Sequence, residues 1–385
     1  MNMYQLFITN LLIKKVRHLK DISIPVSENQ MKHIILTGKN GSGKTSVVEA
    51  LAKYLDRVVV NRNRRQFAKG ELLKKEINGL IVSFNIEDYN LRETPKHILA
   101  YYNADRIFKV EQPKHIEKIQ FKDEYGLEET PRNEFVKYLV DLKMTEALAR
   151  NNKKIEKADE IQAWFKNLEY LLKQIFSDET IQLIFDEETF QFSIIQAGKE
   201  PFDFNTLSRG YQAVLDIVLD LIMRMQKQIQ RSFVFHLPGI VLIDEIETHL
   251  HLELQRNIMP LLTTIFPNIQ FIVTSHSPFI LNSLEGVVIY DLEKHLLVEN
   301  GLGNIPYDGI VDGYFGVDKL SDSLKGKFNR YKYLVKKKKL SDNEVGEIAE
   351  LEFYLDDIPD YLAINIATEY QKLKLEFINR EDIDG

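Results

Sequence analysis

The sequence predicts an α/β fold built on a mostly parallel core sheet, and three observations carry the prediction. The stretch Gly38-Lys39-Asn40-Gly41-Ser42-Gly43-Lys44-Thr45 lies between an apolar run, His33 to Thr37, and a helix-compatible run, Ser46 to Ala52. Later apolar runs end in chemically capable groups: Gly239 to Ile243 in Asp244-Glu245, and Phe271 to Thr274 in Ser275-His276. Between them, Ile161, Trp164, Leu168, Leu171 or Leu172, and Ile175 recur at three- and four-residue steps, the mark of an amphipathic helix. In such sheets ligands bind beyond the carboxyl ends of the strands.

From the N-terminus, Tyr4 to Ile13 and Ile22 to Val26 read as strands flanking a basic turn of Lys14, Lys15, Arg17, His18 and Lys20. The G-x-x-x-x-G-K-[ST] stretch follows and reads as a phosphate-binding loop, because it hangs between a strand end and a helix N-terminus. Its glycines let backbone N–H groups turn toward phosphate, and the helix adds its partial positive charge. Lys44 can reach the β- and γ-phosphates of ATP, and the Thr45 hydroxyl can ligate Mg²⁺. Val58-Val59-Val60 then leads to Arg62, Arg64 and Arg65, and Leu80 to Ile86 and Ile98 to Tyr102 read as further strands. Helical periodicity begins near Gln112 and runs to Ser177, without enough sustained heptads for a coiled-coil arm. Ile181 to Phe185 and Phe190 to Ile195 suit strands, and Leu207-Ser208-Arg209-Gly210-Tyr211-Gln212 opens an apolar helix through Met225. Val287 to Tyr290 is a last buried strand; beyond Ile310 the chain is charged and helix-compatible, broken at Pro359.

Composition narrows the function classes. The net charge of -7 over 385 residues gives no global attraction to nucleic acid or an anionic membrane, so any such binding needs a local patch. The absence of cysteine rules out disulfides, thiolate zinc sites and cysteine nucleophiles, and it fits a reducing compartment. Leu6 to Ile13 has neither the basic leader nor the cleavage site of a signal peptide. No apolar run approaches the roughly 18–20 residues that span a bilayer. A cytoplasmic enzyme with no membrane partner is expected.

The acid pair belongs with the phosphate loop about 200 residues upstream. At a strand's carboxyl end Asp244 is suited to hold Mg²⁺, directly or through its waters, and Glu245 to orient and deprotonate an attacking water. His249 and His251 have the look of metal spacing, but at i and i+2 on a helix start they point apart, so no zinc site is expected.

In their order, Lys44, Leu207-Ser208-Arg209-Gly210-Tyr211, Asp244-Glu245 and His276 resemble ABC-type ATPase heads. Asp244-Glu245-Ile246-Glu247-Thr248-His249-Leu250-His251 and Thr274-Ser275-His276-Ser277-Pro278 look like the soluble branch of that class, which includes RecF-like, SMC-like, OLD-family and PtuA-type anti-phage ATPases. Tyr211, where transporter heads usually carry glycine, and Phe202-Asp203-Phe204-Asn205-Thr206 ahead of it point the same way. The resemblance implies an ABC-type P-loop ATPase head: a mostly parallel core sheet, an antiparallel β subdomain, a helical lobe and a helical C-terminal tail. Its parts fall at 1–106 and 178–310 for the head, 107–177 for the lobe, and 311–385 for a tail that offers a partner-binding region.

It further implies that Ser208 and Gly210 complete the γ-phosphate site of a second copy, so that two ATP molecules are closed in a two-fold dimer. His276 would contact the γ-phosphate. Arg106 occupies the place of the magnesium-sensing loop but no glutamine stands there; a phosphate contact, a dimer contact and a surface ion pair all stay open. Arg209 departs from the small or acidic residue usual at its position and would clamp phosphate or face solvent. Arg62, Arg64 and Arg65 allow a nucleic-acid contact, as Lys336 to Lys339 do more weakly, against the plainer reading of a solvated face. No clustered acids of a nuclease follow His276, and Asp382-Ile383-Asp384 lies where little would position it. The expected function is therefore an ATP-driven switch controlling a separate effector such as a nuclease; the alternative is a RecF- or SMC-like DNA-binding ATPase of repair or chromosome maintenance.

Overall fold

An unbroken apolar run suits a strand covered on both faces, whereas alternation suits a strand with one wet face. The computed structural model of the protein, which describes residues 6–60, 76–85, 97–305, 309–310, 322–356 and 364–378, contains both kinds. It divides into a unit ending at Pro306 and a second beginning at Tyr307. In the first unit, β1 (Ile8–Val16), β2 (Leu19–Pro25) and β4 (Leu80–Phe84) form an antiparallel sheet in the order β2-β1-β4. The basic turn contracts to Arg17-His18, since Val16 pairs with Leu19 and Lys15 with Lys20. Lys14 and Lys15 are exposed and stay in the strand because buried Val16 continues its apolar face.

The second sheet carries the functional edge. It comprises β3 (Ile34–Thr37), β5 (Ile98–Tyr102), β8 (Gly239–Ile243), β9 (Ile269–Thr274), β10 (Val288–Asp291) and β11 (Leu296–Val298), in the order β11-β10-β3-β9-β8-β5. All neighbours run parallel except β10 and β11, and every residue of the five parallel strands is buried. α1 (Lys44–Leu55) packs Val47, Val48 and Leu51 into a core with Leu11, Ile13, Leu36 and Ile272, so the phosphate loop is anchored on both sides. β11 went unread in the sequence because its three apolar residues are too short a run to mark a strand, and none of them is fully buried.

Helical structure starts later than residue 112: residues 107–130 hold no helix, and a 3₁₀ turn at Pro131–Glu134 precedes α2 (Phe135–Asn151) and α3 (Ile155–Phe176). The periodicity of α3 is realised in its buried Ile161, Trp164, Leu168, Leu171, Leu172 and Ile175. A short hairpin, β6 (Gln182–Asp186) with β7 (Gln191–Ile195), precedes α4 (Arg209–Met225).

α4 is buried on nearly all sides, including Asp216, Asp220 and Arg224. Asp220 accepts from Tyr102 Oη at 2.8 Å and Arg224 Nε at 2.7 Å. Arg224 also donates to the carbonyls of Leu99, Gly126, Leu127 and Glu129, which explains how residues 126–129 are held without helix or strand. Arg132 pairs with Asp216 and stands 3.7 Å from Asp220. Removing one partner of a buried ion pair leaves the other charge uncompensated. Arg224→Met is therefore expected to cost about 3–5 kcal/mol in urea unfolding, and adding Asp220→Asn to recover part of that loss.

The second unit has its own core. α5 (Asp322–Lys336), α6 (Asp342–Asp356) and α7 (Ile364–Ile378) bury Phe328, Tyr331, Leu334, Ile348, Leu355, Tyr370 and Leu373 together. Lys337 bonds Glu344 at 2.6 Å, so this member of the Lys336–Lys339 run has an acidic partner. Arg62, Arg64, Arg65, Pro359 and Asp382 to Asp384 lie outside the described residues. Among the described residues no helix is long and apolar enough to cross a membrane.

Candidate active site

Five parallel strands end at one edge of the sheet, and their carboxyl ends bring the site together. In sheet order these ends supply Glu293, the phosphate loop, Ser275-His276, Asp244-Glu245 and Asn103 to Arg106. The junction is tight: Ser275 N donates to Leu36 O at 3.0 Å and Asp244 N to Tyr102 O at 2.8 Å.

The loop is built by backbone conformations that only glycine adopts easily. Gly38, Gly41 and Gly43 have φ of 131°, 85° and 97°. A Cβ on Gly43 would stand 2.8 Å from Leu19 Cδ1 and 3.3 Å from His18, so the β1–β2 hairpin presses on the loop from outside. Lys39, on the exposed shoulder, is tied to Glu293 by a side-chain contact of 3.0 Å and a backbone bond of 3.3 Å. Those bonds from Lys39 hold the Glu293 carboxyl below its ordinary range. The Lys44 stem is buried, and its ammonium donates to Gly38 O at 2.7 Å and Lys39 O at 3.1 Å, inside the ring that the loop forms. Asn40 and Gly41 are exposed at the tip, Ser42 Oγ is buried with no partner, and Thr45 is exposed at the start of α1.

Beside the loop, Thr274 ties two strands. Its hydroxyl donates to Asp244 Oδ1 at 2.6 Å and accepts from Glu245 N at 2.7 Å, so one side chain sets both acids. Glu245 adopts φ 45°, a left-handed conformation costly for a side chain of its kind, and such strain clusters at functional sites. Ile246 N on Thr274 O at 3.1 Å holds that bend in place. His276 receives a buried partner: Glu247 Oε1 accepts its backbone N–H at 2.7 Å and lies 2.9 Å from its Nδ1.

Arg106 does not take the surface ion-pair alternative. Its Nη1 donates to the carbonyls of Asn103 and Asp244, both at 3.1 Å, while Nε and Nη2 are buried with no partner. Burial lowers its proton affinity, opposed by the carboxylates of Asp216, Glu247 and Asp244. Ser208 and Arg209 are exposed at the N-terminus of α4, and Ser208 caps no N–H of its own helix. Gly210 is buried: a Cβ there would meet His249 O at 3.2 Å and Leu254 at 3.3 Å, so α4 seats against the segment that follows the acid pair. Tyr211 stacks on Phe176 at 4.2 Å and meets His251 edge-on at 6.1 Å, which gives both side chains a packing role. The loop before α4 is fixed by Asp203, which accepts from Asn205 N at 2.9 Å and Thr206 N at 2.8 Å.

Sequence reasoning placed Lys44, Asp244, Glu245 and His276, and the fold brings their strand ends side by side. It gave no role to Thr274, Glu247 or Glu293. The first two lie inside the quoted motifs, but no local pattern says that their two strands are neighbours, and nothing in the spacing marked Glu293.

The chain is similar to known proteins over most of its length. Septu protein PtuA of Bacillus mycoides (strain KBAB4) is 25% identical over 388 residues, covering 93% of this chain and 51% of that protein. The chain thus spans about half the length of this relative. The "Retron Ec83 probable ATPase" of Escherichia coli is 36% identical over 115 residues, which are 30% of this chain and 19% of that protein. Among solved structures, an SmcHead bound to the C-winged helix domain of ScpA aligns over 78% of this chain and 100% of that chain, with TM-score 0.42 and 13% identity. A family model described as "AAA domain, putative AbiEii toxin, Type IV TA system" matches residues 34–282, the stretch that holds the phosphate loop, the acid pair and His276. The fold is that of an α/β P-loop ATPase, and the chain belongs to this AAA-domain family.

Proposed function

We propose that the protein is a cytoplasmic ATP-hydrolysing switch that pairs with a second copy on binding ATP and controls a separate effector, such as a nuclease, in bacterial anti-phage defence. The observation that carries the reading is the convergence of Lys44, Asp244-Glu245 and His276 on three neighbouring strand ends, in a chain similar to Septu protein PtuA over 93% of its length.

The residues present fit ATP and magnesium. Ser42 Oγ is a buried hydroxyl without a partner, and Lys44 holds its ammonium on loop carbonyls that a phosphate oxygen could replace. The Thr45 hydroxyl and Asp244 would hold Mg²⁺, which when bound would neutralise charge on the β- and γ-phosphates. Glu245 would take a proton from the attacking water, and His276 would donate to the γ-phosphate. The exposed N-terminus of α4, with Ser208 free of any cap duty, supports a site that a second copy completes. ATP closure and release would then change which surface meets the effector. The DNA-clamp alternative rests on Arg62, Arg64 and Arg65, outside the described residues, and salt-dependent DNA binding lost on neutralising them would favour it.

Light scattering tests the pairing. A Glu245→Gln protein is expected to double in mass with ATP, and Ser208→Arg added to it to keep nucleotide binding but remain single. Equal mass with and without ATP would overturn the two-copy site.

A further inference from the structure

We propose that Glu247 is the positioning residue of this site, a buried carboxylate that turns the His276 imidazole so that Nε2 faces the nucleotide. The inference rests on the reading of His276 as a phosphate contact, and its test below separates the two.

Three observations support it. Glu247 is 7% exposed while the His276 side chain is 55% exposed, so a buried acid holds a largely open ring. One carboxylate oxygen, Oε1, receives both the backbone N–H and the Nδ1 of His276, at 2.7 and 2.9 Å, which ties the ring to its own main chain and leaves one orientation. The second oxygen, Oε2, is buried with no hydrogen-bond partner, so the bonds to His276 are the ones this carboxylate makes, while the Arg106 guanidinium feels its charge without bonding it. A carboxylate needed only to cap a turn would use the backbone bond and leave the imidazole free.

The consequence is chemical. A carboxylate at Nδ1 keeps the proton on that nitrogen, so a neutral ring offers Nε2 as an acceptor and a charged ring offers an Nε2–H donor. The bond from Glu247 raises the proton affinity of His276 above its ordinary value, against burial of the ring. The other charged groups acting on His276 are Lys44, which opposes protonation, and Glu245, which favours it. Burial pushes the Glu247 carboxyl up, but the bonds from His276 outweigh it and hold it ionised. The donor form is therefore kept to higher pH than a free histidine would allow, and a donor is what a γ-phosphate requires.

The experiment uses the full chain with Glu247→Gln, which keeps shape and removes charge, and Glu247→Asp, which keeps charge. Histidine NMR on the nucleotide-free protein should show His276 with Nδ1 protonated in its neutral form, and its titration midpoint should fall in Glu247→Gln. Turnover should drop about 10–100-fold in Glu247→Gln, by analogy with carboxylates that orient metal-bound histidines. Binding of a fluorescent ATP analogue should persist, the alkaline limb of the kcat–pH profile should move to lower pH, and Glu247→Asp should restore part of both. A wild-type His276 with the proton on Nε2, or the same titration in wild type and Glu247→Gln, would overturn the proposal. Unchanged turnover in His276→Ala would instead refute the phosphate-contact reading, while the NMR result still decides the role of Glu247.

Discussion

Glu245→Gln is expected to lower the ATP turnover number by about 10²–10⁴-fold while leaving nucleotide affinity within a few-fold of wild type. The expectation comes from how the side chain is held. The backbone at φ 45° is fixed from the neighbouring strand by Thr274 Oγ1 at 2.7 Å, and Thr248 Oγ1 reaches Glu245 Oε2 at 3.4 Å. None of these bonds requires the carboxylate to be charged, so glutamine can occupy the same place. What it loses is the capacity to accept a proton from water, and that loss falls on the transition state rather than on the bound state. Single-turnover hydrolysis set beside equilibrium binding separates the two. Wild-type turnover in the variant would remove Glu245 from the chemistry, and equal losses in binding and rate would assign it to nucleotide affinity instead.

The partners of Glu245 show what a single sequence can and cannot reveal. A strand end followed by acids, or by Ser275-His276, is legible because the apolar run stops where the chain meets solvent and ligand. The neighbours of that strand are not legible. Parallel strands buried on both faces carry no alternation, so nothing in Ile240 to Ile243 or Ile269 to Val273 says that β9 lies between β3 and β8. That order gives Thr274 its role, since its hydroxyl reaches Asp244 and Glu245 only because β8 and β9 are adjacent. Glu293 is a sharper case. It sits beside Lys39 because β10 pairs with β3, across 254 residues of chain that no local pattern bridges. Residues 107–130 misled for a related reason: the irregular backbone at 126–129 is held by Arg224 and by Tyr101 N on Leu127 O at 2.9 Å, tertiary bonds that no local pattern announces. By contrast α4 was legible to within two residues, read from Leu207 and observed from Arg209 to Met225, because a long apolar run behind Ser208 marks what it buries.

Lys44→Ala is expected to abolish nucleotide binding, and its structural setting makes the loss more than the removal of one charge. The ammonium sits inside the phosphate loop, bonded to Gly38 O at 2.7 Å and Lys39 O at 3.1 Å on a stem 6% exposed. In the alanine variant those carbonyls lose their internal donor, the loop loses the side chain that fills its ring, and the triphosphate loses its counter-charge. Linkage makes the measurement independent of turnover: a ligand that binds only the folded state adds about 2.7 kcal/mol of stability at roughly 100 times its Kd. Wild type should therefore melt at a higher temperature with ATP and magnesium, and Lys44→Ala should show no shift. Lys44→Met keeps the apolar stem and lacks the charge, so it separates a collapsed loop from an uncharged one. If the methionine protein keeps the wild-type midpoint without nucleotide yet gains nothing from ATP, the charge is what the phosphate needs. A full ATP-dependent shift in Lys44→Ala would mean that the triphosphate binds elsewhere, and the roles given to Thr45, Asp244 and Glu245 would fall with it.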